Sequence, residues 1–252
     1  GTRESVAAVT AQSATKAWRN LLANSKIVVT VVGNTDVNVI SDMLRDRLSG
    51  VERNFKPLSK AQINSSVSNV KRVEERQKIR QGKLVIGFRT SYDTDNRQNA
   101  AALRSFADVF GGGPYSKLFA NVREKMSLCY YCSARPSRQK GYVMVQSGCE
   151  EENMLKAEKE ILNQLEEIKK GNFDYEFASS KAALTDALDS VYDSPETIEG
   201  WYGVQIPDES YASPQESAAL NNAVTKQQII DCANSLKLDT VYKLVCEKEE
   251  VK

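Results

Sequence analysis

Two hydrophobic periodicities alternate along this chain, and their alternation limits the fold more than any other feature. Short segments rich in β-branched residues are separated by longer segments in which apolar residues recur every three or four positions. The first pattern predicts strands and the second predicts amphipathic helices. The expected strands are residues 27–32 (IVVTVV, buried), 83–90 (KLVIGFRT), 128–134, 142–148 and 240–247 (TVYKLVCE).

Helical spacing occupies most of the remaining chain. Thr10, Ser194 and Thr225 are of the residue types that cap helix N-termini, and Pro195 suits a first helical position. The expected helices are residues 9–23, 37–48, 96–110, 117–125, 153–170, 174–191, 195–204 and 225–236. Together these segments predict an α+β fold, in which an antiparallel or mixed sheet carries helices packed on one face.

Residues 50–69 lose this periodicity and are expected to be a linker. The stretch contains Pro57, several serines and asparagines, and scattered charges. It predicts two domains. Residues 1–60 would be the closing strand–helix portion of a preceding half-domain, and residues 61–252 would form a second domain.

The charge balance excludes several classes of partner. The chain has 34 basic and 33 acidic residues, a formal net charge of +1. Nucleic-acid grooves and anionic membrane surfaces require a field of one sign, so neither partner is expected. No apolar run approaches the about 20 residues that a bilayer requires. The five cysteines are an odd number, which favours free thiols and a cytoplasmic location.

The sequence contains no histidine. Histidine is the commonest zinc ligand and the usual general base near neutral pH. Serine and cysteine triads that depend on an imidazole are excluded for the same reason. We therefore expect that the chain is not a self-sufficient zinc peptidase, and that it holds no metal and no cofactor.

The most specific motif lies between residues 110 and 130. It reads Phe110-Gly-Gly-Gly-Pro-Tyr-Ser-Lys-Leu-Phe119, followed by Val122-Arg-Glu-Lys-Met-Ser-Leu-Cys-Tyr130. This block is similar to the insulinase/pitrilysin metallopeptidases, which show a glycine run, Ser, Leu-Phe, Leu-Arg-Glu-Lys and Leu-x-Tyr in this order. The segment VTVVGNTD at residues 29–36 resembles a strand and turn upstream in that family. The chain looks most like inactive bacterial members, so a metallopeptidase-like αβ roll is implied.

The resemblance implies a division of roles between two homologous halves. The catalytic half would hold zinc on an inverted His-x-x-Glu-His motif, whose Glu is the general base. The other half would close over the peptide and offer it an Arg and, seven residues later, a Tyr. These positions are Arg123 and Tyr130 here. Both side chains can donate hydrogen bonds to a peptide carbonyl, and a sheet edge can accept the peptide as an added strand.

The expected partners follow from the same resemblance. They are a catalytic zinc-peptidase homologue, forming a heterodimer, or a missing N-terminal half, together with a peptide substrate. Zinc is expected only in that partner. The alternative hypothesis is a scaffold or assembly protein that keeps the fold as an interaction platform without proteolysis. A third hypothesis is a peptide-binding, chaperone-like module.

A phosphate-binding loop is an alternative interpretation of the glycine run, which consists of Gly111, Gly112 and Gly113. Such a loop follows a strand and ends in Gly-Lys-Ser/Thr, whereas this run follows a predicted helix. The run therefore predicts a helix stop and a tight turn.

Cys129 and Cys132 have the C-x-x-C spacing of redox and zinc sites. Within a strand, however, residues three positions apart face opposite sides of the sheet. On the expected strand at 128–134 the two sulfurs would diverge, so neither redox nor metal function is expected.

Glu150, Glu151 and Glu152 form an acidic run that could suggest a divalent cation site. Because the run precedes a predicted helix, its charge complements the helix dipole instead. Asp93 and Asp95 are interpreted in the same way, since they precede the helix that begins near residue 96.

Overall fold

The computed structural model describes residues 1–55, 57, 62–92, 95–208 and 210–247. The chain divides into two compact units, Gly1–Lys60 with Tyr192–Tyr211, and Ala61–Val191 with Ala212–Lys252. The predicted division between residues 60 and 61 lies outside the described residues and stays a prediction. Asp93 also lies outside them.

The described residues form nine α-helices, one π-helix and five strands. In chain order they are α1 (Arg3–Ala7), α2 (Ala11–Asn24), α3 (Val37–Leu48), β1 (Lys71–Gln77), β2 (Lys83–Thr90), α4 (Arg97–Gly111), the π-helix (Leu118–Lys125), β3 (Tyr131–Ser137), β4 (Tyr142–Gly148), α5 (Met154–Lys169), α6 (Asp174–Asp189), α7 (Pro195–Gly203), α8 (Pro214–Asn222), α9 (Lys226–Ser235) and β5 (Leu236–Cys246). Within these residues, no helix is both long and apolar enough to cross a bilayer.

The first unit contains α1, α2, α3 and α7. The Thr10 hydroxyl accepts the Ser13 amide at 3.1 Å, and the Ser194 hydroxyl accepts the Thr197 amide at 3.2 Å. These contacts satisfy backbone donors that the first helical turn leaves unpaired. The predicted caps at Thr10 and Ser194 are therefore confirmed, and α3 has the predicted bounds.

The strand expected at residues 27–32 is wrong. These residues have no regular secondary structure, and Val28, Val29 and Val31 are about half exposed rather than buried. Their β-branched composition favours extended backbone. A strand also needs a hydrogen-bonded neighbour, and among the described residues no strand pairs with this segment.

The second unit contains a single sheet in the part of the chain that the structure describes. Its strand order is β1-β5-β2-β4-β3, with β1 and β5 parallel and the other neighbours antiparallel. This confirms the predicted mixed, largely antiparallel sheet. β2 and β4 have the expected bounds, while β3 begins at Tyr131 rather than Leu128.

The core lies between one face of this sheet and the helices. β2 alternates so that Leu84, Ile86 and Phe88 are buried. They pack in one cluster with Phe106 and Phe110 of α4, whose ring centroids are 5.6 Å apart. Each such side chain contributes about 1.5–3 kcal/mol through removal of apolar surface from water. Burial of this alternating face fixes the register of the central strand.

A buried carboxylate ties the edge strand β1 to the rest of the unit. Glu158 on α5 is almost fully buried, and its Oε1 lies 2.7 Å from Arg72 Nη1 on β1. Its Oε2 lies 3.4 Å from Lys243 Nζ on β5. Two cations on adjacent strands thus share one anion, which compensates for the loss of its hydration.

The glycine run ends α4 and allows it to approach β3 closely. α4 ends at Gly111, and the Gly112 amide donates to the Asp108 carbonyl at 2.9 Å. A Cβ on Gly111 would lie 2.5 Å from the Ala134 backbone nitrogen, and one on Gly113 would lie 2.8 Å from the Tyr115 ring. The predicted helix stop and turn are confirmed. Gly111 is required by its close contact with backbone rather than by positive φ.

We predict that Gly111→Ala destabilises the second unit by about 1–3 kcal/mol, the usual cost of overpacking. The added methyl group would meet the Ala134 backbone, which cannot rotate away as a flexible side chain can. The measurement is urea unfolding followed by circular dichroism, with the loss read as a lower transition midpoint at an unchanged slope.

Gly87→Ala is the matched control for this variant. Gly87 lies in β2 of the same unit, and its added Cβ would meet only the Thr240 carbonyl oxygen, at 3.9 Å. It should change the midpoint little. Equal midpoints for the two variants would contradict the role assigned to the Gly111 contact.

Candidate functional site

The helix predicted at residues 117–125 is a π-helix, Leu118–Lys125. Its wide turns are shown by the Met126 amide, which donates to the Asn121 carbonyl at 3.1 Å, five residues back. Leu118 and Val122 are fully buried, so one face of the π-helix belongs to the core. π-turns are rare and concentrate at functional sites.

Polar contacts hold the π-helix against two neighbouring helices. Lys117 Nζ lies 3.0 Å from Glu176 Oε1 on α6, and both side chains are largely buried. The Asn121 side-chain amide donates to Gln164 Oε1 on α5 at 3.0 Å. Because both contacts are shielded from water, they hold the beginning and the middle of the π-helix more firmly than surface contacts would.

Ser127 reverses the chain after the π-helix. Its φ of 50° lies in the left-handed region, which non-glycine residues seldom adopt. The Leu128 amide then donates to the Val122 carbonyl at 3.0 Å. This turn brings residues 128–130 back beside the end of the π-helix.

Arg123 lies near the C-terminal end of the π-helix with its side chain 40% exposed. The guanidinium carbon is 4.5 Å from the Phe119 ring centroid, and Nε is 3.5 Å from Glu124 Oε1. An exposed ion pair of this length contributes little to stability. The Phe119 ring thus orients the guanidinium, while its hydrogen-bond donors can still engage another group.

Tyr130 lies at a bend immediately before β3, with 58% of its surface exposed. Its amide donates to the Gly148 carbonyl at 2.8 Å, which fixes the backbone to β4. Its hydroxyl donates to Glu150 Oε1 at 2.7 Å. This hydrogen bond to a carboxylate raises the pKa of Tyr130 above its ordinary value. The phenol is therefore held as a neutral donor.

Arg123 and Tyr130 line the same open cleft, which has a volume of about 400 Å³. The two residues come from different elements, and the turn at Ser127 brings them together. Gly111, Gly112 and Gly113 do not line this cleft. The lining residues are Arg123, Glu124, Ser127, Leu128, Cys129, Tyr130, Glu150 and Asn153.

The dipole interpretation of the acidic run holds for Glu151 and Glu152, which lie in a 3-10 helix, Glu151–Asn153, that leads directly into α5. Glu150 precedes that helix and is the acceptor for the Tyr130 hydroxyl. Glu151 Oε1 lies 3.3 Å from Arg76 Nη2 on β1. Sequence reasoning missed Glu150 as a cleft residue, because its contact spans 20 positions and has no local signal.

The strand that was expected to include both Cys129 and Cys132 is wrong at its beginning. β3 begins at Tyr131 and the chain bends at Tyr130, so Cys129 precedes the strand. The alternation rule therefore does not apply to it, and the orientation expected from that rule has no basis at Cys129. Cys129 is half-buried and lines the cleft, whereas Cys132 is buried in β3.

The environment of Cys129 favours its thiolate. The hydrogen bond from Cys132 lowers the pKa of Cys129 to about 7, against the opposing effect of desolvation. The Ser147 hydroxyl and the positive charge of Arg123 lower this pKa further. The interaction with Cys129 and burial both raise the pKa of Cys132.

The residues of this chain do not fit a zinc peptidase site. The sequence has no histidine. In the described ranges, no group of three or more cysteine and carboxylate side chains is placed to hold a metal ion. No step of peptide hydrolysis can be assigned to these residues.

The comparisons with known proteins identify the family. The sequence model described as the Peptidase M16 inactive domain matches residues 8–184. The chain belongs to this family. The matched range includes the 110–130 block, which confirms the resemblance to the insulinase/pitrilysin metallopeptidases. As a member of the M16 inactive-domain family, this domain is a non-catalytic peptidase homologue.

Relatives of this M16 domain agree with that assignment. The probable inactive metalloprotease YmfF of Bacillus subtilis (strain 168) is 32% identical over 243 residues, covering 94% of this chain and 55% of YmfF. A conserved protein from Enterococcus faecalis V583 is 27% identical with a TM-score of 0.85, covering 99% of this chain and 59% of that one. The chain thus spans little more than half the length of these relatives.

The M16 inactive domain from Pseudomonas fluorescens shares the fold at low sequence identity. It is 16% identical with a TM-score of 0.74, and the match covers 100% of this chain and 61% of that one. This likeness extends to both compact units and confirms the fold class.

We predict that iodoacetamide alkylates Cys129 with a pH midpoint near 7, because the thiolate is the nucleophile and its pKa is about 7. The titratable and charged groups facing this thiol are Cys132, Cys149 and Arg123. Arg123→Gln should raise the midpoint, because loss of a nearby cation disfavours the anion. Peptide mass spectrometry over a pH series measures both midpoints.

Lys125→Gln is the matched control, since it removes one cation from the same π-helix at a position outside the cleft lining. It should leave the midpoint unchanged. Cys232, whose pKa burial raises, should stay unreacted throughout. A wild-type midpoint near the ordinary thiol value would contradict the assigned environment.

Proposed function

We propose that this chain is the substrate-side, non-catalytic half of an M16 zinc metallopeptidase. In this proposal it binds the peptide backbone and encloses the chamber beside a catalytic homologue that holds the zinc. The observation that carries the proposal is the convergence of Arg123 and Tyr130, from two different elements, on one open cleft.

The geometry suits recognition of a peptide backbone. Arg123 brings guanidinium donors and Tyr130 brings a phenol donor, and a peptide carbonyl can accept from both. In the absence of peptide, the Tyr130 hydroxyl bonds to Glu150. The Tyr130 ring is exposed, so exchanging this bond for one to a peptide carbonyl would change the free energy little.

The position of β3 supports the same proposal. β3 is an edge strand of the sheet, and it begins directly after Tyr130. An extended peptide can add to a sheet edge through main-chain hydrogen bonds that do not depend on its sequence. Arg123 and Tyr130 would then fix the peptide where it leaves that edge.

The proposal extends to partner and location. The zinc-bearing partner would be a separate homologue or another part of a longer chain, because this M16 domain has no histidine and its described residues include no cluster of metal-binding side chains. All five cysteines are free thiols, which is consistent with the reducing cytoplasm that we propose for the protein.

The test is peptide affinity, measured by fluorescence anisotropy with a fluorescein-labelled peptide library of mixed sequence. Tyr130→Phe should weaken binding about two- to tenfold, the usual effect of losing one neutral hydrogen bond. Arg123→Gln should weaken it by about ten- to a hundredfold, because hydrogen bonds from charged groups are stronger. Both side chains are exposed, so both variants should keep the wild-type unfolding midpoint.

Tyr175→Phe and Arg47→Gln are the matched controls. Both side chains are exposed and lie outside the cleft lining. They should bind the library as the wild type does. Unchanged affinity in Tyr130→Phe and Arg123→Gln, or zinc-dependent peptide hydrolysis by the wild-type chain alone, would refute the proposed function.

A second candidate function is an interaction platform without peptide binding. It is favoured by large apolar side chains on the first unit that are at least half exposed, such as Trp18 on α2 and Val29. Contiguous exposed apolar surface commonly marks protein interfaces. If the wild-type chain fails to bind any peptide of the library, this second function is the better interpretation.

A further inference from the structure

The edge strand β1 carries its charged side chains in an order that reverses in sign about its centre. Its sequence, Lys71-Arg-Val-Glu-Glu-Arg-Gln77, runs from two cations through one apolar residue to two anions. Every side chain of the strand is exposed. Val73, the residue about which the signs reverse, is 46% exposed, so this apolar side chain lacks the cover that strand residues commonly find.

The backbone of β1 has an open side. Among the described residues, β1 has a neighbouring strand on its β5 side alone. The Gln77 carbonyl accepts the amide of Glu247, which directly follows β5, at 2.9 Å, so this carbonyl faces the β5 side. Because backbone groups alternate between the two sides along a strand, the N–H and C=O groups of Arg72, Glu74 and Arg76 face the open edge. Such a row of groups is a template for a further strand.

We propose that β1 is a self-association surface, at which two copies of this chain pair their β1 strands antiparallel about a two-fold axis through Val73. In this arrangement each charged residue from position 71 to position 75 faces one of opposite sign. Lys71 faces Glu75 of the second copy, Arg72 faces Glu74, and Val73 faces its own counterpart. Opposite charges directly across an antiparallel pair stabilise it, and symmetry makes each contact occur twice.

Symmetry and charge together select this register. A two-fold axis normal to the sheet keeps each side chain on its own face, so the pairing must be centred on a residue. Centring on any charged residue of β1 places that residue against its own copy, and like charges directly opposite destabilise the pair. Centring on Gln77 pairs Arg76 with Lys78, which also have the same charge. Val73 is therefore the one centre in β1 that brings only opposite charges together.

Charged side chains on an edge strand commonly prevent its pairing with another chain. They do so when the added strand meets them with like charge or leaves them unpaired. In β1 the order of the charges makes one register with a second copy attractive, while centring on any other residue of the strand is repulsive. The same charges therefore select a second copy of this chain as the partner.

The contacts within one chain allow these charges to pair again. Arg72 Nη1 lies 2.7 Å from Glu158 Oε1, yet the Arg72 side chain is 58% exposed and a guanidinium has five N–H donors. Glu74 Oε1 lies 2.7 Å from Arg76 Nη2, and both side chains are about half exposed. Such an exposed pair contributes little to stability, so exchanging it for a contact with the second copy costs little.

This inference does not rest on the proposed function. β1 and β3 are the two opposite edges of the sheet, so pairing through β1 does not use the edge beside the cleft. Failure of the chain to bind peptide would leave the self-association standing. A chain that binds peptide but stays monomeric would refute the self-association alone.

The first experiment measures the dissociation constant of the dimer by sedimentation velocity of the full chain over a concentration series. The expected result is a monomer–dimer equilibrium that weakens as sodium chloride is raised, because exposed charge pairs are screened. Lys71→Glu should weaken the dimer about tenfold, since it places a like charge opposite Glu75 at two positions. Adding Glu75→Lys to that variant should restore the wild-type constant, because the facing charges are then opposite again.

Lys156→Glu is the matched control, since it makes the same change of charge at an exposed position on α5. It should dimerise as the wild type does. A wild-type chain that is monomeric at every concentration, or equal dissociation constants for Lys71→Glu and Lys156→Glu, would overturn the proposal. A dimer that salt strengthens would also overturn it, because an apolar surface would then hold the two copies together.

The second experiment tests the register by disulfide formation between copies. Val73→Cys places two thiols directly opposite each other, at the Cα separation of about 4.5–5.5 Å found in antiparallel pairs, which a disulfide can span. Glu75→Cys places them four residues apart along the strands, about 13 Å, which is too far. Mild oxidation and peptide mass spectrometry should therefore find the link between copies in Val73→Cys and not in Glu75→Cys. The reverse pattern, or no link in a Val73→Cys sample that sedimentation shows to be dimeric, would overturn the pairing.

Discussion

The contact between Gly111 and the backbone of Ala134 is the constraint on which the candidate site depends. It brings the end of α4 against β3, so that a Cβ at position 111 would lie 2.5 Å from the Ala134 nitrogen. The chain must leave α4 at this point, form the π-helix, and return to begin β3. Because both ends of the connecting segment are fixed, the segment that carries Arg123 and Tyr130 cannot move independently of the core. The glycine run therefore acts on the site through packing, although it does not line the cleft.

Much of the fold could be predicted because its signals are local. Asn96, Thr10 and Thr225 accept hydrogen bonds from backbone amides of their own first helical turns, and such caps need no tertiary information. No local pattern in the sequence predicted the edge strand β1. Its sequence, KRVEERQ, has every side chain exposed, and its place depends on parallel pairing with β5, about 170 positions later. The strand predicted at residues 27–32 is wrong for the opposite reason. Their composition favours a strand, but no described strand pairs with them.

The site shows the same division between local motif and tertiary geometry. The motif at residues 110–130 identified Arg123 and Tyr130 as candidate residues, and in the structure both line one cleft. It could not reveal Glu150, whose contact with Tyr130 joins the bend before β3 to the segment after β4. The expected orientation of Cys129 relative to Cys132 rested on a strand boundary that was misplaced by three residues. Side chains alternate between the two faces only within a strand, and Cys129 precedes β3.

The ionic contacts that hold the scaffold together differ in burial from those at the cleft. Ion pairs with a largely buried carboxylate join the secondary-structure elements of the scaffold. They are Glu158 with Arg72 and Lys243, and Glu176 with Lys117. Removing one partner from such a group leaves an uncompensated buried charge, which costs about 3–5 kcal/mol. The contacts at the cleft differ in kind. The Arg123–Glu124 pair and the Tyr130–Glu150 hydrogen bond are exposed, so an incoming carbonyl can replace them at little cost. A rigid frame that holds exchangeable donors is what the proposed binding of varied peptide sequences would require, because recognition would then rest on the backbone that all peptides share.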